Sequence, residues 1–237
     1  MYKALIAIFA ILCTACSSRA ENDVNNNPDW ADLGRYSSEN QLIPAVKDGE
    51  QRVVFMGNSI TENWVKFHPD FFKNNGFIGR GISGQTTPQM LVRFREDVIN
   101  LNPALVVICA GTNDIAENTG PYNPDVTFGN IVSMVELAKA NGIKVVLASL
   151  LPAKDYWWNT SIPNVPEKID ALNKRIIDYA ANNDIPYADY NSQLKLEPTK
   201  ELDPSLTYDG VHPNSEGYDV MEAIIMPVIT SALAEQQ

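Results

Sequence analysis

From Arg52 onward, short continuous apolar runs alternate with longer stretches whose apolar residues recur every three or four positions. The runs Ala104–Cys109 and Lys144–Leu150 have no polar alternation, as expected of strands buried on both faces. Arg52–Met56, Phe77–Gly81 and Pro186–Tyr190 read as further strands. Between them, Met90, Leu91, Phe94 and Val98 make a helical stripe, opened by Thr86 or Thr87 as cap with Pro88 in the first turn. A second stripe, Ile131, Val132, Val135 and Ala138, ends at Asn141-Gly142, and a third runs through Ile169, Leu172, Ile176, Ile177 and Ala180. A last helix from about Asn214 contains Pro227 and is expected to kink or restart there. Trp30 to Val46 reads as a short irregular or helical piece packing on the domain. This alternation predicts an α/β fold: a parallel sheet with helices on both faces and ligands at the strand C-terminal ends.

The start of the chain follows a different pattern. Lys3 precedes the apolar run Ala4 to Leu12, too short for a permanent bilayer span, so it reads as a secretory leader. The run ends in Leu12-Cys13-Thr14-Ala15-Cys16-Ser17-Ser18, where small residues before a cysteine resemble a bacterial lipoprotein cleavage site. Residues 1–16 are therefore expected to be a signal peptide ending at a lipidated Cys16. Residues 17–28, rich in Asn, Ser and charge, are expected to be a tether. Residues 29–237 are the expected folded domain, exported and held to a membrane by the lipid alone. The 237 residues suffice for one sizeable α/β domain. A formal charge of −11 argues against binding a nucleic-acid backbone. Cys109 reads as a buried apolar residue, and no disulfide framework is suggested.

Four segments stand in order just beyond strands or before the last helix: Gly57-Asn58-Ser59, Gly81-Ile82-Ser83-Gly84, Gly111-Thr112-Asn113-Asp114 and Asp209-Gly210-Val211-His212. Together they resemble the SGNH hydrolase family, also called GDSL-type lipases and esterases, over roughly Arg52 to Val228. The resemblance implies a three-layer α/β/α sandwich with a five-stranded parallel sheet of flavodoxin-like order. It implies Ser59 as nucleophile, His212 as general base and Asp209 as its orienting partner. The oxyanion hole would be formed by the backbone N–H groups of Ser59 and Gly84 and the side-chain amide of Asn113. It implies no metal and no cofactor. Two positions depart from the family's usual pattern: Asn58 stands where an Asp is common, and Gly79 where the second block often opens with Asn. Neither change removes a reacting atom.

Elementary chemistry points the same way. A serine needs a base within hydrogen-bond reach, and the chain has two histidines, His68 and His212. His68 has no acid at similar spacing and reads as a surface or packing residue. His212 has Asp209 three residues before it, with Gly210 permitting a tight turn, so an acid there can fix the tautomer that turns Nε2 toward Ser59. Asp-x-x-His alone is ordinary turn chemistry, as is Gly-Thr-Asn-Asp; their conjunction with the serine block gives them weight. Gly84 is expected to matter for its N–H and for close backbone approach, Gly81 for a bend, and Asp114 for structure. Trp157 and Trp158 either line a sugar or acyl pocket or pack their loop onto the body.

The expected activity is a serine esterase working through an acyl-enzyme, acting on a small ester or an acylated glycan, with acetyl as the acyl group. A lysophospholipase or thioesterase is the enzymatic alternative, and a non-catalytic surface binding module the other. A metal-dependent phosphoesterase is disfavoured because two histidines fill a dinuclear site poorly.

Overall fold

The computed structural model describes residues 29–234. The leader, Cys16 and tether readings lie outside the described residues. The five expected strands form: β1 (Val53–Gly57), β2 (Phe77–Gly81), β3 (Leu105–Ile108), β4 (Lys144–Ala148) and β5 (Tyr187–Ala188). All pair in parallel, in the order β2-β1-β3-β4-β5. From β1 the chain moves outward to make β2, then returns on the other side as β3. A crevice therefore opens beyond the C-terminal ends of β1 and β3, the usual ligand position in such sheets. Ser59 follows β1, and Asn113 follows β3.

Strand alternation sends neighbouring side chains to opposite faces, and both faces are covered. Val54, Met56, Val106, Ile108, Val145 and Leu147 pack under α4 (Thr87–Asp97), α6 (Pro124–Ala140) and α7 (Val165–Asn182). Val53, Phe55, Leu105, Val107, Val146 and Ala148 pack under α2 (Ser59–Phe67), α3 (Pro69–Asn75), α8 (Tyr190–Leu194) and α9 (Ser215–Ala234). The result is the three-layer sandwich. The α4 cap is Thr86, in a capping box with Gln89. The Trp30–Val46 segment holds a short helix, α1 (Ser37–Leu42). It packs on the domain through buried Ala31 and Tyr36, whose hydroxyl donates to the Gly81 carbonyl.

One expectation is corrected. The last helix neither stops nor restarts at Pro227; α9 is continuous through it. Pro227 and Ala223, whose carbonyl loses its helical partner, both lie on the exposed side, so water can satisfy that carbonyl. Meanwhile Tyr218, Met221, Ile225, Ile229 and Ala232 keep one buried stripe along the helix. Gly81 is the last residue of β2, just before the turn at Ser83 and Gly84. A Cβ there would stand 2.3 Å from the Glu62 nitrogen and 2.6 Å from the Asn58 oxygen. The glycine lets the first turn of α2 lie directly against β2. At Gly79, a Cβ would meet Val65 Cγ2 at 2.2 Å, so the Asn common at that position would require Val65 to move.

Candidate active site

Ser59 is the first residue of α2, and Asn58 is its N-cap, its side chain accepting from the Ile60 N–H at 3.1 Å. An amide oxygen does this as well as a carboxylate, so the Asn in place of Asp keeps the turn. Among the described residues, no acceptor within the protein takes the N–H of Ser59 or of Gly84. Both backbone groups are therefore available to a ligand oxygen.

The histidine comes from the loop before α9. Asp209 and His212 form a tight turn in which Asp209 Oδ1 accepts from the N–H groups of Val211 (3.0 Å) and His212 (2.7 Å). Gly210 sits at φ +84°, and Thr207 ties the loop by donating its hydroxyl to the His212 carbonyl at 2.6 Å. The other carboxylate oxygen, Oδ2, lies 2.7 Å from His212 Nδ1 and accepts from Trp157 Nε1 at 3.2 Å. His212 Nε2 in turn lies 2.8 Å from Ser59 Oγ. An ionised carboxylate only accepts, so the hydrogen is on Nδ1, and Nε2 is free to take the serine's proton. Burial pushes the Asp209 carboxyl up, but the His212 N–H, the His212 ring and the Val211 N–H outweigh it and hold it below its usual value. It stays negative beside an imidazolium.

Across from His212 is the loop carrying Ser83 and Gly84. Gly84 sits at φ +77°, which a side chain would strain, and its carbonyl accepts from Asn118 Nδ2 at 3.0 Å. Glu62, one turn along α2 from Ser59, accepts from the Ser83 N–H at 2.7 Å and the Ser83 hydroxyl at 2.5 Å. Despite partial burial, those bonds and Lys66 keep the Glu62 carboxyl below its usual value. Glu62 thus ties the helix that begins at Ser59 to the Gly84 loop. Asn113, buried on the short helix α5 (Thr112–Ile115), donates from Nδ2 to the Gln85 carbonyl at 2.9 Å. An amide nitrogen has a second hydrogen, and Asn113 lines the same hollow as Ser59, Gly84 and His212.

That hollow, about 310 Å³, is completed by Asn63, Asn118, Trp157 and Trp158. Both tryptophans line the hollow, and Trp158 also packs its loop onto the body. Trp158 anchors the loop, packing tilted against Tyr156 and donating to Asn118 Oδ1 at 2.9 Å. Trp157 stands 62% exposed at the rim. Asp114 is structural as expected: buried, it accepts from the Thr87 N–H and from the hydroxyls of Thr87 and Thr127. Cys109 is buried, and burial pushes its thiol up to about 12, so it is not a competing nucleophile. His68 does find an acid, but from α9. Its Nδ1 lies 2.7 Å from Glu222 and its Nε2 2.9 Å from Ser215, a tie between the α2–α3 corner and the last helix.

Sequence reasoning missed Glu62, Asn63, Asn118, Thr207 and Tyr208. Asn63 had a signal, since it lies four residues after Ser59 and so on the same helix face. Tyr208, stacked on His212 at 5.7 Å between centroids, had only its place beside Asp209.

The family model for the GDSL-like lipase/acylhydrolase family matches residues 55–220. The chain belongs to that family. Among solved structures, a candidate acylhydrolase of Bacteroides fragilis is 62% identical, with TM-score 0.86, covering 87% of this chain and 100% of its own. An acetylxylan esterase of Xylanibacter ruminicola is 24% identical over 84% of this chain and 46% of its own length. The uncharacterized lipoprotein YqeF of Bacillus subtilis is 30% identical over 38% of this chain and 39% of its own. The chain thus spans less than half the length of these two curated relatives.

Proposed function

We propose that this GDSL-like acylhydrolase is a serine esterase that removes short acyl groups, acetyl foremost, from an acylated carbohydrate. The observation that carries the reading is the hydrogen-bonded line Ser59–His212–Asp209, at 2.8 and 2.7 Å, beside two unengaged backbone N–H groups. Ser59 Oγ attacks the ester carbonyl carbon while its proton passes to His212 Nε2. The carbonyl oxygen, now negative, accepts from the N–H groups of Ser59 and Gly84 and from the Asn113 amide. As the intermediate collapses, His212 returns the proton to the departing alkoxide and leaves an acyl-Ser59. Water, deprotonated by His212, then repeats the sequence and frees the acid.

The short-chain part rests on the hollow's walls. They are side-chain amides, backbone and indole, with no continuous aliphatic channel among the residues that line it. Amides and indoles suit hydroxylated substrates, and the acetylxylan esterase relative supports the carbohydrate. With p-nitrophenyl esters from acetyl to octanoyl, kcat/KM is expected to fall about tenfold or more along the series and to vanish in Ser59→Ala. A preference for octanoyl would move the substrate to lipids; turnover surviving in Ser59→Ala would remove the serine mechanism.

The proposal includes export and attachment through a lipidated Cys16, supported by the sequence around that cysteine and by the YqeF relative's name. Cys16→Ala is expected to move the chain from the membrane fraction to the soluble one. An unchanged membrane fraction would count against the anchor.

A further inference from the structure

We propose that Trp157 and the hollow beyond it form the subsite for the alcohol half of the ester, and that this subsite takes a neutral pyranose ring. The inference rests on the serine-esterase reading above and adds where, and by what, the leaving group is held.

The chemistry fixes the direction. The carbonyl oxygen points to Gly84 and Asn113, so the departing oxygen must face His212 Nε2, which protonates it. The alcohol half therefore extends over the surfaces next to His212. These are Tyr208, stacked on the imidazole with 10° between planes, and Trp157, bonded to the carboxylate behind it. Past them opens a second hollow of about 310 Å³, whose walls include Lys154, Asp155, Glu201, Thr207, Tyr208 and Asp209. Asp209 and Tyr208 belong to its wall, and their other sides meet His212. Tyr208 and Asp209 thus border both His212 and the second hollow.

The composition of that surface selects the ligand. Trp157 directs its single polar atom at Asp209, so its exposed part is a flat apolar face. The ring is braced edge-on against Trp158 at 5.3 Å and 81°, and Trp158 is itself anchored to Asn118. A rigid exposed indole beside a polar hollow matches the C–H face of a pyranose with hydroxyls around its rim. Lys154 and Asp155 form no ion pair among the described residues and can hydrogen-bond those hydroxyls. A fatty alcohol packed there would desolvate the charged groups of Lys154, Asp155 and Glu201, which share the wall with Leu202 and Pro204. An anionic sugar would face the carboxylates of Asp155, Glu201 and Asp209. A neutral sugar meets neither penalty.

The test compares two substrates, mono-acetylated xylotriose and p-nitrophenyl acetate, on wild type, Trp157→Phe and Trp157→Ala. Phenylalanine keeps a flat face but loses the N–H to Asp209; alanine loses both. The ratio of kcat/KM for acetylated xylotriose to that for p-nitrophenyl acetate is expected to fall about tenfold in Trp157→Ala, mainly through KM. In Trp157→Phe it is expected to stay within about threefold of wild type. An equal loss on both substrates in both variants would overturn the proposal, because Trp157 would then act only through Asp209. An unchanged ratio in Trp157→Ala would overturn it too, as would wild type that hydrolyses p-nitrophenyl acetate but not acetylated xylotriose. Failure of the underlying reading is told apart by Ser59→Ala, which would then retain hydrolysis of p-nitrophenyl acetate.

Discussion

His212→Ala is expected to lower kcat on p-nitrophenyl acetate by about 10⁴- to 10⁶-fold, the range seen when a serine loses its base. The ring is the group within hydrogen-bond reach of Ser59 Oγ that can accept its proton, at 2.8 Å. The other histidine, His68, is bonded to Glu222 and Ser215 and cannot stand in for it. The variant should nonetheless fold. The loop is tied by main-chain groups that alanine keeps: the Asp209 Oδ1 bond to the residue-212 N–H, and the Thr207 bond to its carbonyl. A melting temperature within a few degrees of wild type, with kcat collapsed, is the expected pair of results. A kcat within about tenfold of wild type would mean that His212 is not the base.

Arg93→Met is expected to have the largest effect on stability, about 3–5 kcal/mol, the usual cost of removing one member of a buried charged network. Its guanidinium is fully buried and donates to the carbonyls of Gly57 (2.8 Å) and Arg80 (2.9 Å), to Asp97 (3.0 Å) and to Gln85 Oε1 (2.5 Å). Methionine keeps an unbranched apolar stem but removes the guanidinium, leaving the Asp97 carboxylate with the Asn40 amide and the nearby charge of Arg80. For a domain of this size the loss corresponds to on the order of 6–20 °C in Tm, readable by thermal unfolding. Activity should fall as well. Gly57 precedes the nucleophile's turn, and Gln85 carries the carbonyl that holds Asn113. A Tm drop below about 2 °C would show that the network is not what holds these loops.

The sheet was legible because its strands are covered on both faces. Runs such as Leu105–Ile108 must then be apolar at every position. Ser59, His212 and Asp209 were legible as candidates because nucleophilic chemistry restricts residue types and because histidine is scarce. The structure brings the three within hydrogen-bond reach. The elements that escaped are short: α3, α5, α8, and the hairpin of β6 (Lys195–Leu196) with β7 (Glu201–Leu202). Each is too brief for a period to emerge. Arg93 escaped for a different reason. On an amphipathic helix an arginine reads as solvent-facing, and only the meeting of β1, β2 and the Gly84 loop turns that position into a buried junction. Glu62 reads as a surface i,i+4 partner of Lys66, which it is, yet its other oxygen holds Ser83 across the crevice. The rim residues Asn63, Asn118 and Tyr208 are separated by up to 145 positions, so no local pattern joins them.

The account stands most directly on Ser59 being the nucleophile. The decisive measurement is the intact mass of the full chain after treatment with a fluorophosphonate, with the adduct mapped by peptide sequencing. One phosphonyl group on Ser59, absent from Ser59→Ala and formed far more slowly in His212→Ala, is the predicted result. An adduct on another residue, or full labelling of Ser59→Ala, would contradict it.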